Sequence, residues 1–199
     1  MRKLLFLVTA VIVVLGFVKP AMAQSDTDFK WELAGGYTFT YDSVSVGGET
    51  TTDTARVVPN VTGGGDPTET FNFNGGGGEI EYKFSHALGF LAELGGAHTG
   101  SNFSDLNTFS YLFGPRLHVG GGKYTYFVEP LFGGIRGCDD GFCQNAFNMF
   151  IGGGVDVNLT DHLFFRPIEA GYELTKFNFG GNNDIQNGFR YTVGVGWRF

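Results

Sequence analysis

The sequence predicts an all-β protein: an eight-stranded antiparallel up-and-down transmembrane β-barrel, preceded by a cleaved signal peptide. Three observations predict it. After an apolar leader, eight segments alternate apolar and polar residues with period two. The connections between these segments alternate between long and short, and no helical period of 3.6 follows the leader. Tight turns at one end and longer loops at the other are typical of barrels that cross a membrane.

The leader reads "MRKLLFLVTAVIVVLGFVKPAMAQ" and has the three parts of a secretory signal peptide. Arg2 and Lys3 supply the positive charge, Leu4 to Val18 is an apolar run of 15 residues, and "AMA" is a cleavage site after Ala23. A membrane anchor is the alternative, but 15 residues fall short of the roughly 20 that span a bilayer. The predicted organisation is therefore a signal peptide over 1–23 and a barrel domain over 24–199.

The charge of the mature chain excludes nucleic acid as a partner. Removing Arg2, Lys3 and Lys19 leaves 13 − 3 = 10 basic residues against 20 acidic ones, a formal charge of −10. Nucleic-acid binding needs a basic face, which this chain lacks. With 22 Phe, 8 Tyr and 33 Gly, the composition is also unusual for a soluble enzyme.

The first four predicted strands show the alternation clearly. In "WELAGGYTFTY", the odd positions include Trp, Leu, Tyr, Phe and Tyr, whereas the even positions carry Glu, Ala, Gly and Thr. The glycines at Gly75–Gly78 blur the register of the second segment. These four strands are predicted at Trp31–Tyr41, Phe71–Phe84, Ala87–Thr99 and Asn107–His118.

The last four predicted strands follow the same pattern with one break. The alternation loses phase near Pro167–Ile168, where a β-bulge would absorb the odd residue and tolerate the proline. These four strands are predicted at Lys123–Ile135, Ala146–Leu159, His162–Phe177 and Gly188–Phe199.

The connections predict the topology. The short ones are Ser85-His86, Val119–Gly122 and Thr160-Asp161. The long ones, predicted to be extracellular loops, are Asp42–Thr70, Gly100–Leu106, Arg136–Asn145 and Asn178–Asn187. Because an even number of strands returns the chain to its starting side, both termini are expected in the periplasm.

The apolar face is predicted to meet lipid and the polar face to fill the lumen. A secreted β-sandwich is the alternative, but ionised residues and glycines near the strand middles fit a narrow lumen better than a solvated surface. Interfacial girdles are expected from Trp31, Tyr37, Tyr41, Tyr82, Tyr111, Tyr124 and Trp197. The inward phase predicts a charge network that plugs the lumen, formed by Glu93, Arg116, Glu129, Asp156, Arg166, Glu169 and Arg190. Partners are expected on adjacent strands, with Arg116 between Glu93 and Glu129.

The chain ends on "YTVGVGWRF", which resembles the C-terminal signal read by the outer-membrane barrel assembly machinery. The alternating residues that carry this likeness are Val193, Val195, Trp197 and Phe199. With "LFGPRLHV", "YFVEPLFGGIRG" and "FIGGGVDVNLTDHLFFRPIEAGYELTKF", the mature chain resembles the OmpA/OmpX-like eight-stranded outer membrane β-barrels.

The resemblance implies a monomer in the outer membrane of a Gram-negative bacterium. Its expected partners are outer membrane lipid and lipopolysaccharide, the barrel assembly machinery, periplasmic chaperones and an unidentified ligand of the extracellular loops. The expected role is structural or surface-interactive, in envelope integrity or adhesion. A small-solute channel is the first alternative, and no cofactor is expected.

An enzyme that modifies lipid A or phospholipids is the second alternative, because a His–Ser pair could supply a base and a nucleophile. Ser110 and His118 share a face of one strand but lie eight positions apart, about 26 Å, which is too far to pair. His98 and Ser101 are close enough but lack a clear acidic partner. No catalytic residue is therefore predicted.

Cys138 and Cys143 are the two cysteines of the chain and flank "DDGF" in a predicted extracellular loop. In an exported protein, two cysteines at this spacing predict a disulfide. A metal site using Asp139 and Asp140 is the alternative, but it lacks the ligand number of an EF-hand loop.

Overall fold

The computed structural model describes residues 29–45, 68–99, 107–139, 142–179 and 182–199. The predicted signal peptide, the middle of the predicted loop Asp42–Thr70 and the whole of Gly100–Leu106 lie outside the described residues. No helix within these ranges is long and apolar enough to cross a membrane, a finding that does not bear on strands.

Eight antiparallel strands close into a barrel in chain order, which confirms the predicted fold class. Strand β1 pairs with β2 on one side and with β8 on the other, so the sheet has no free edge. The backbones of Trp31 and Phe199 exchange hydrogen bonds of 3.0 and 3.1 Å where the two terminal strands meet. The strands are β1 (Trp31–Ser45), β2 (Thr68–Lys83), β3 (Leu88–Thr99), β4 (Asn107–Gly121), β5 (Tyr124–Asp139), β6 (Phe142–Asn158), β7 (Leu163–Phe179) and β8 (Asn182–Arg198).

The pairing register fixes the tilt of the strands. A walk from Leu33 across successive paired residues passes Ile80, Ala92, Phe113, Phe132, Met149, Leu174 and Asn187, and returns to β1 at Ser43. The stagger is 43 − 33 = 10 residues. For eight strands this stagger corresponds to a tilt of about 40°. Each residue therefore advances about 2.5 Å along the barrel axis, and each strand step in chain order rises about 3 Å.

Three short connections lie at one end of the barrel, together with both termini of the sheet; we call this the turn end, and the opposite end the loop end. The hydroxyl of Ser85 accepts a hydrogen bond of 3.1 Å from the Leu88 amide, and Thr160 accepts one of 2.9 Å from Leu163. Gly120, near the end of β4, and Gly122, in the turn to β5, adopt φ angles of 96° and 67°, which favour glycine.

The bulge predicted near Pro167–Ile168 is confirmed. On the β8 side, the register shifts between Arg166 and Glu169, and on the β6 side it shifts between Val155 and Val157. The Tyr191 hydroxyl donates a 2.9 Å hydrogen bond to the Pro167 carbonyl, which occupies an acceptor at the interrupted ladder.

Two predicted loops are wrong. Arg136–Asn145 and Asn178–Asn187 are largely strand, because β5 and β6 pair out to Asp139 and Phe142, and β7 and β8 pair out to Phe179 and Asn182. These stretches contain Asn, Gly and Asp, which are typical of loops. Their backbones nevertheless continue the hydrogen-bonded ladder beyond the apolar part of each strand, as two extended hairpins.

Candidate functional site

The outer surface carries an apolar band. Along β4, the outward side chains from Phe109 to Val119 are apolar and mostly exposed. These two positions are ten residues apart, which on the tilted strand is about 25 Å along the barrel axis. This height matches the apolar band of outer-membrane barrels. Aromatic side chains are exposed at both edges of the band, including six of the seven predicted for the girdles: Trp31, Tyr37, Tyr41, Tyr111, Tyr124 and Trp197.

The lumen is the candidate functional site, and its centre is a cluster around Arg116. Arg116 is fully buried and donates to Glu129 on the neighbouring strand β5 at 2.6 Å. It also reaches across the lumen to β2, where Glu79 accepts two hydrogen bonds of 2.6 and 2.7 Å. A weaker contact of 3.3 Å joins Arg116 to Glu81. The Glu79 pair is bidentate, the geometry in which Arg–carboxylate bonding is strongest.

Arg166 extends this cluster to the β6–β7 side of the barrel. It donates to Asp156 at 2.7 Å, to Glu169 at 2.8 Å and to Glu79 at 2.8 Å. Glu79 therefore bridges two arginines that come from different walls of the lumen. We call the six residues the central cluster: Glu79, Arg116, Glu129, Asp156, Arg166 and Glu169.

A second pair closes the lumen nearer the loop end. Arg190 of β8 makes a bidentate pair with Glu93 of β3, with distances of 2.8 and 2.9 Å, and contacts Glu169 at 3.3 Å. Close by, Asn148 donates to Glu173 at 2.6 Å. At the turn end, Lys83 and Arg198 both pair with the buried Glu32, and His118 contacts Glu81 at 2.6 Å.

Aromatic rings fill the space between the arginines. The Phe127 ring has a guanidinium 4.4 Å from its centroid for both Arg116 and Arg166. Phe150 lies 3.6 Å from Arg190, and Phe164 lies 4.5 Å from Arg198. These distances are within the range of cation–π attraction, which strengthens when water is excluded.

Glycines on neighbouring positions make room for these rings. A Cβ at Gly154 would come within 2.8 Å of Phe127, and one at Gly196 would collide with Phe164. A Cβ at Gly152 would collide with Phe150. Each ring therefore contacts both a glycine backbone and a guanidinium, and we call the three groups glycine–phenylalanine–arginine stacks.

We define the plug as the central cluster with Glu93, Arg190 and the rings of Phe127, Phe150 and Phe164. Within the described part of the lumen, a cavity of about 30 Å³ lies against the β1–β2–β8 wall, lined by glycines with Glu79, Glu93, Arg166 and Glu169. Such a volume holds about two water molecules, and charged groups are available to bond them. It is too small to pass an organic solute.

Acidic groups outnumber basic ones in the described part of the lumen. Five basic side chains, Lys83, Arg116, Arg166, Arg190 and Arg198, face eight carboxyl groups. These carboxyl groups belong to Glu32, Glu79, Glu81, Glu93, Glu129, Asp156, Glu169 and Glu173. No group of three or more His, Cys, Asp or Glu side chains in the described ranges has a geometry that could hold a metal ion.

All seven residues of the predicted charge network point into the lumen. Three expected neighbour pairs are present: Arg116 with Glu129, Arg166 with Asp156, and Arg190 with Glu169. The expected pair of Arg116 with Glu93 is wrong. Glu93 is directly opposite Leu112, Arg116 is directly opposite Gly89, and Glu93 pairs with Arg190 instead.

The predicted charge network left out the acids of β2 and the charges at the turn end. Glu79 and Glu81 alternate with Ile80 and Tyr82, so the same period-two signal marks them as inward. Glu32 and Arg198 pair at the seam between β1 and β8 and were detectable in the same way.

The other candidate residues are spread over the molecule. His118 is buried in the turn-end lumen and contacts Glu81, whereas Ser110 lies further along the same strand. His98 is exposed on the outer face and bonds Asn107 at 3.1 Å, while Ser101 lies outside the described residues. Cys138 and Cys143 are directly opposite each other and are joined by a disulfide in the β5–β6 hairpin. Of the alternative metal ligands, the Asp139 and Asp140 side chains lie outside the described residues.

Residues 9–199 match the family described as outer membrane protein beta-barrel domain, and the chain belongs to this family. Neisserial surface protein A has a similar structure, with a TM-score of 0.62 and 11% identity over 85% of this chain and 97% of that one. Ail, the attachment invasion locus protein of Yersinia pestis, has a TM-score of 0.54 and 16% identity over 87% of this chain and 100% of its own. No curated protein sequence matches this chain. The family places the protein in the outer membrane of a Gram-negative bacterium.

Proposed function

We propose that this protein is a structural, surface-interactive barrel whose lumen is closed and whose loops make contacts outside the cell. The observation that carries the proposal is the plug: three arginines from three strands converge on shared carboxylates and stack on aromatic rings. A closed lumen leaves the outer wall, the extended hairpins and the loops as the surfaces that can act. The proposal assigns no enzymatic activity.

Envelope integrity and adhesion are the two roles that fit a closed barrel. Ail is by name an attachment invasion locus protein, and its fold is shared. At 16% identity, the similarity to Ail supports a shared fold and not a shared role. Adhesion through the loops is therefore our own proposal.

The orientation belongs to the same proposal: the turn end, with both termini of the sheet, faces the periplasm. Arg56 is the one Lys or Arg between residues 46 and 67, so trypsin has one cleavage site in this connection. We expect trypsin added to intact cells to cleave after Arg56, and an Arg56→Gln variant to resist. Cleavage that requires a permeabilised outer membrane would reverse the orientation.

The functional test compares cells that lack the protein with cells that carry the parent or a variant whose residues 46–67 are replaced by a short Gly-Ser linker. We expect deletion to weaken the envelope against detergents or reduce surface binding. The linker variant should restore envelope integrity but not binding. Equal behaviour of all three strains in both assays would contradict the proposal.

Assembly partners are proposed from the terminal strand. Val193, Val195, Trp197 and Phe199 alternate on the outward face of β8, and Phe199 is half-exposed. We infer that the assembly machinery reads these residues, after periplasmic chaperones have carried a monomeric chain. Deleting Phe199 should lower the amount of folded protein in cells, while purified chain still folds into detergent. Unchanged cellular amounts would contradict this.

A small-solute channel remains the second candidate, favoured by the loop-end lumen. The hydroxyl side chains of Thr40, Thr99 and Thr175 lie in that half, and a cavity of about 30 Å³ lies beside Glu79 and Glu93 nearer the centre. Passage would require the Arg190–Glu93 pair and the central cluster to separate.

A further inference from the structure

The outer wall changes character at the loop-end edge of the apolar band. Outward side chains there become amides and bases, and most lie within about 5 Å of one level along the axis. They are Asn72, Asn74, His98, Asn107, Arg136, Asn145, Lys176 and Asn187. Among the loop-end side chains that the structure describes, no carboxylate faces outward.

Three of these residues lie on adjacent strands and share one stretch of the wall. Arg136 of β5 is directly opposite Asn145 of β6, and Lys176 of β7 is directly opposite Phe147, two residues from Asn145. The tilt brings all three to within about 3 Å of one height, with the Cα atoms of Arg136 and Lys176 about 12 Å apart. All three side chains are exposed and point away from the lumen.

Neither basic side chain is neutralised by a described side chain. Arg136 and Lys176 make no ion pair within the described ranges, whereas the arginines of the lumen all do. The three side chains supply two cations and an amide donor at the membrane boundary, and no acid lies among them. They therefore complement an anion that lies at that boundary. Guanidinium and ammonium groups are the usual protein partners of phosphate.

The surface below these donors is apolar. Phe147 is exposed directly beneath Asn145 and is opposite Lys176, and Phe109 is opposite Arg136. A ligand that meets both layers must carry a phosphate next to an acyl chain. The phosphorylated glycolipid of the outer leaflet has this chemistry and lies at this level if the loop end faces the cell exterior.

We propose that Arg136, Asn145 and Lys176 form a phosphate cradle for the headgroup of that phosphorylated glycolipid, with Phe147 as the contact for its acyl chain. This inference rests on the proposed orientation of the barrel and specifies the lipopolysaccharide contact expected from the family. The cradle would fix the protein in the outer leaflet and orient the β5–β6 and β7–β8 hairpins towards the exterior.

The test uses purified, folded protein in neutral detergent micelles and measures binding of lipid A and of enzymatically dephosphorylated lipid A. We expect the parent to bind the phosphorylated form at least about tenfold more tightly. The variant Arg136→Gln with Lys176→Gln should lose that preference. Lys123→Gln removes an exposed cation at the turn end and should keep it.

Several results would overturn the proposal. Equal binding of both lipid forms by the parent would do so without any variant, as would a preference that survives in the double variant. Competition by phosphatidylglycerol at the same concentration would show a general anionic-lipid surface. Competition by inorganic phosphate at that concentration would show a free-anion site.

Both ends of the barrel are accessible in micelles, so this experiment does not depend on orientation in the cell. Trypsin cleavage at Arg56 in intact cells tests the orientation separately. If the phosphate cradle does not bind lipid A, the micelle experiment shows it. If the barrel has the opposite orientation in the membrane, the trypsin experiment shows it.

Discussion

The two halves of the lumen are built differently. The turn-end half contains the central cluster, the Phe127 and Phe164 rings, and the pairs of Glu32 with Lys83 and Arg198. The loop-end half contains the buried Asn148–Glu173 hydrogen bond and the buried Ala146, and its hydroxyl side chains are Thr40, Thr99, Thr108, Ser110 and Thr175. Arg190 and Glu93 lie at the boundary between the halves.

This difference between the halves shows which part of the barrel can hold the side chains that close the lumen. At the turn end, short turns and the paired ends of β1 and β8 hold the backbone, so long side chains from opposite walls meet at fixed positions. Bidentate pairs and ring stacks need such positions, because their strength depends on geometry. A single hydroxyl hydrogen bond is weaker and less dependent on exact geometry, so we expect substitutions of the hydroxyl residues in the loop-end half to have smaller effects.

The largest effect is expected from Arg116→Ala. Removing this side chain leaves the buried Glu129 without its ion-pair partner, and it takes the bidentate pair from Glu79, which keeps Arg166. Stranding one member of a buried pair lowers the free energy of unfolding by about 3–5 kcal/mol. Urea unfolding of the parent and the variant in lipid vesicles measures this difference in the free energy of unfolding.

Thr108→Val is the control for this prediction in the loop-end half. It removes one 3.2 Å hydrogen bond to the Ala97 carbonyl and should lower the free energy of unfolding by about 1 kcal/mol. Arg116→Ala as stable as Thr108→Val would remove the distinction between the halves.

The next effect is a coupling energy within the turn-end half. Arg116 and Glu129 are in direct contact, so the double alanine variant should cost less than the sum of the single variants, by about 0.5–3 kcal/mol. Arg116 with Glu93 is the matched pair, because these two residues do not contact each other. Double-mutant cycles should give the larger coupling for Glu129. A larger coupling for Glu93 would support the pairing expected from sequence over the observed one.

A smaller effect is expected from Gly152→Ala. The added methyl group collides with the Phe150 ring, so the ring must move and its stack on Arg190 is disturbed. Overpacking of this kind lowers the free energy of unfolding by about 1–3 kcal/mol. Gly96→Ala on the outer face is the control, since the nearest atom, the Thr108 carbonyl oxygen, is 3.7 Å away. If the two alanine variants unfold at the same urea concentration, the ring stacks are not tightly packed.

The smallest effect is expected from the disulfide. It joins directly opposite residues of a hairpin that is already paired and encloses few residues, so its loss should lower stability by no more than about 2 kcal/mol. Cys138→Ser with Cys143→Ser should leave the plug intact. Thiol labelling of the unfolded, unreduced parent tests whether the bond forms: two reactive thiols would show that it does not.

Most of the fold could be predicted from the sequence, because the period-two pattern carries it. Eight strands, the bulge near Pro167 and the inward phase of all seven charges follow from alternation, and the closed barrel follows from alternation together with the lengths of the connections. The hairpin ends could not be predicted in this way. Near Asn145 and Asn182, residues typical of turns continue to pair because the backbone ladder does not require apolar side chains.

The partners across the lumen could not be predicted either. Whether Arg116 meets Glu79 or Glu93 depends on the stagger of ten residues around the barrel, to which each strand pair contributes. Alternation places a side chain inside but does not give its height. A one-strand step moves that height by about 3 Å, enough to change which acid a guanidinium reaches.

The most direct test of the closed lumen is single-channel recording of purified protein in planar bilayers, for the parent and for Glu93→Ala with Arg116→Ala. We expect no steady conductance from the parent in about 1 M salt, because the plug spans the lumen and salt screens buried ion pairs only weakly. The double variant removes one member from each layer of the plug and should open to ions. Steady conductance from the parent at the same level as the variant would contradict a closed lumen and move the channel function ahead of the surface role.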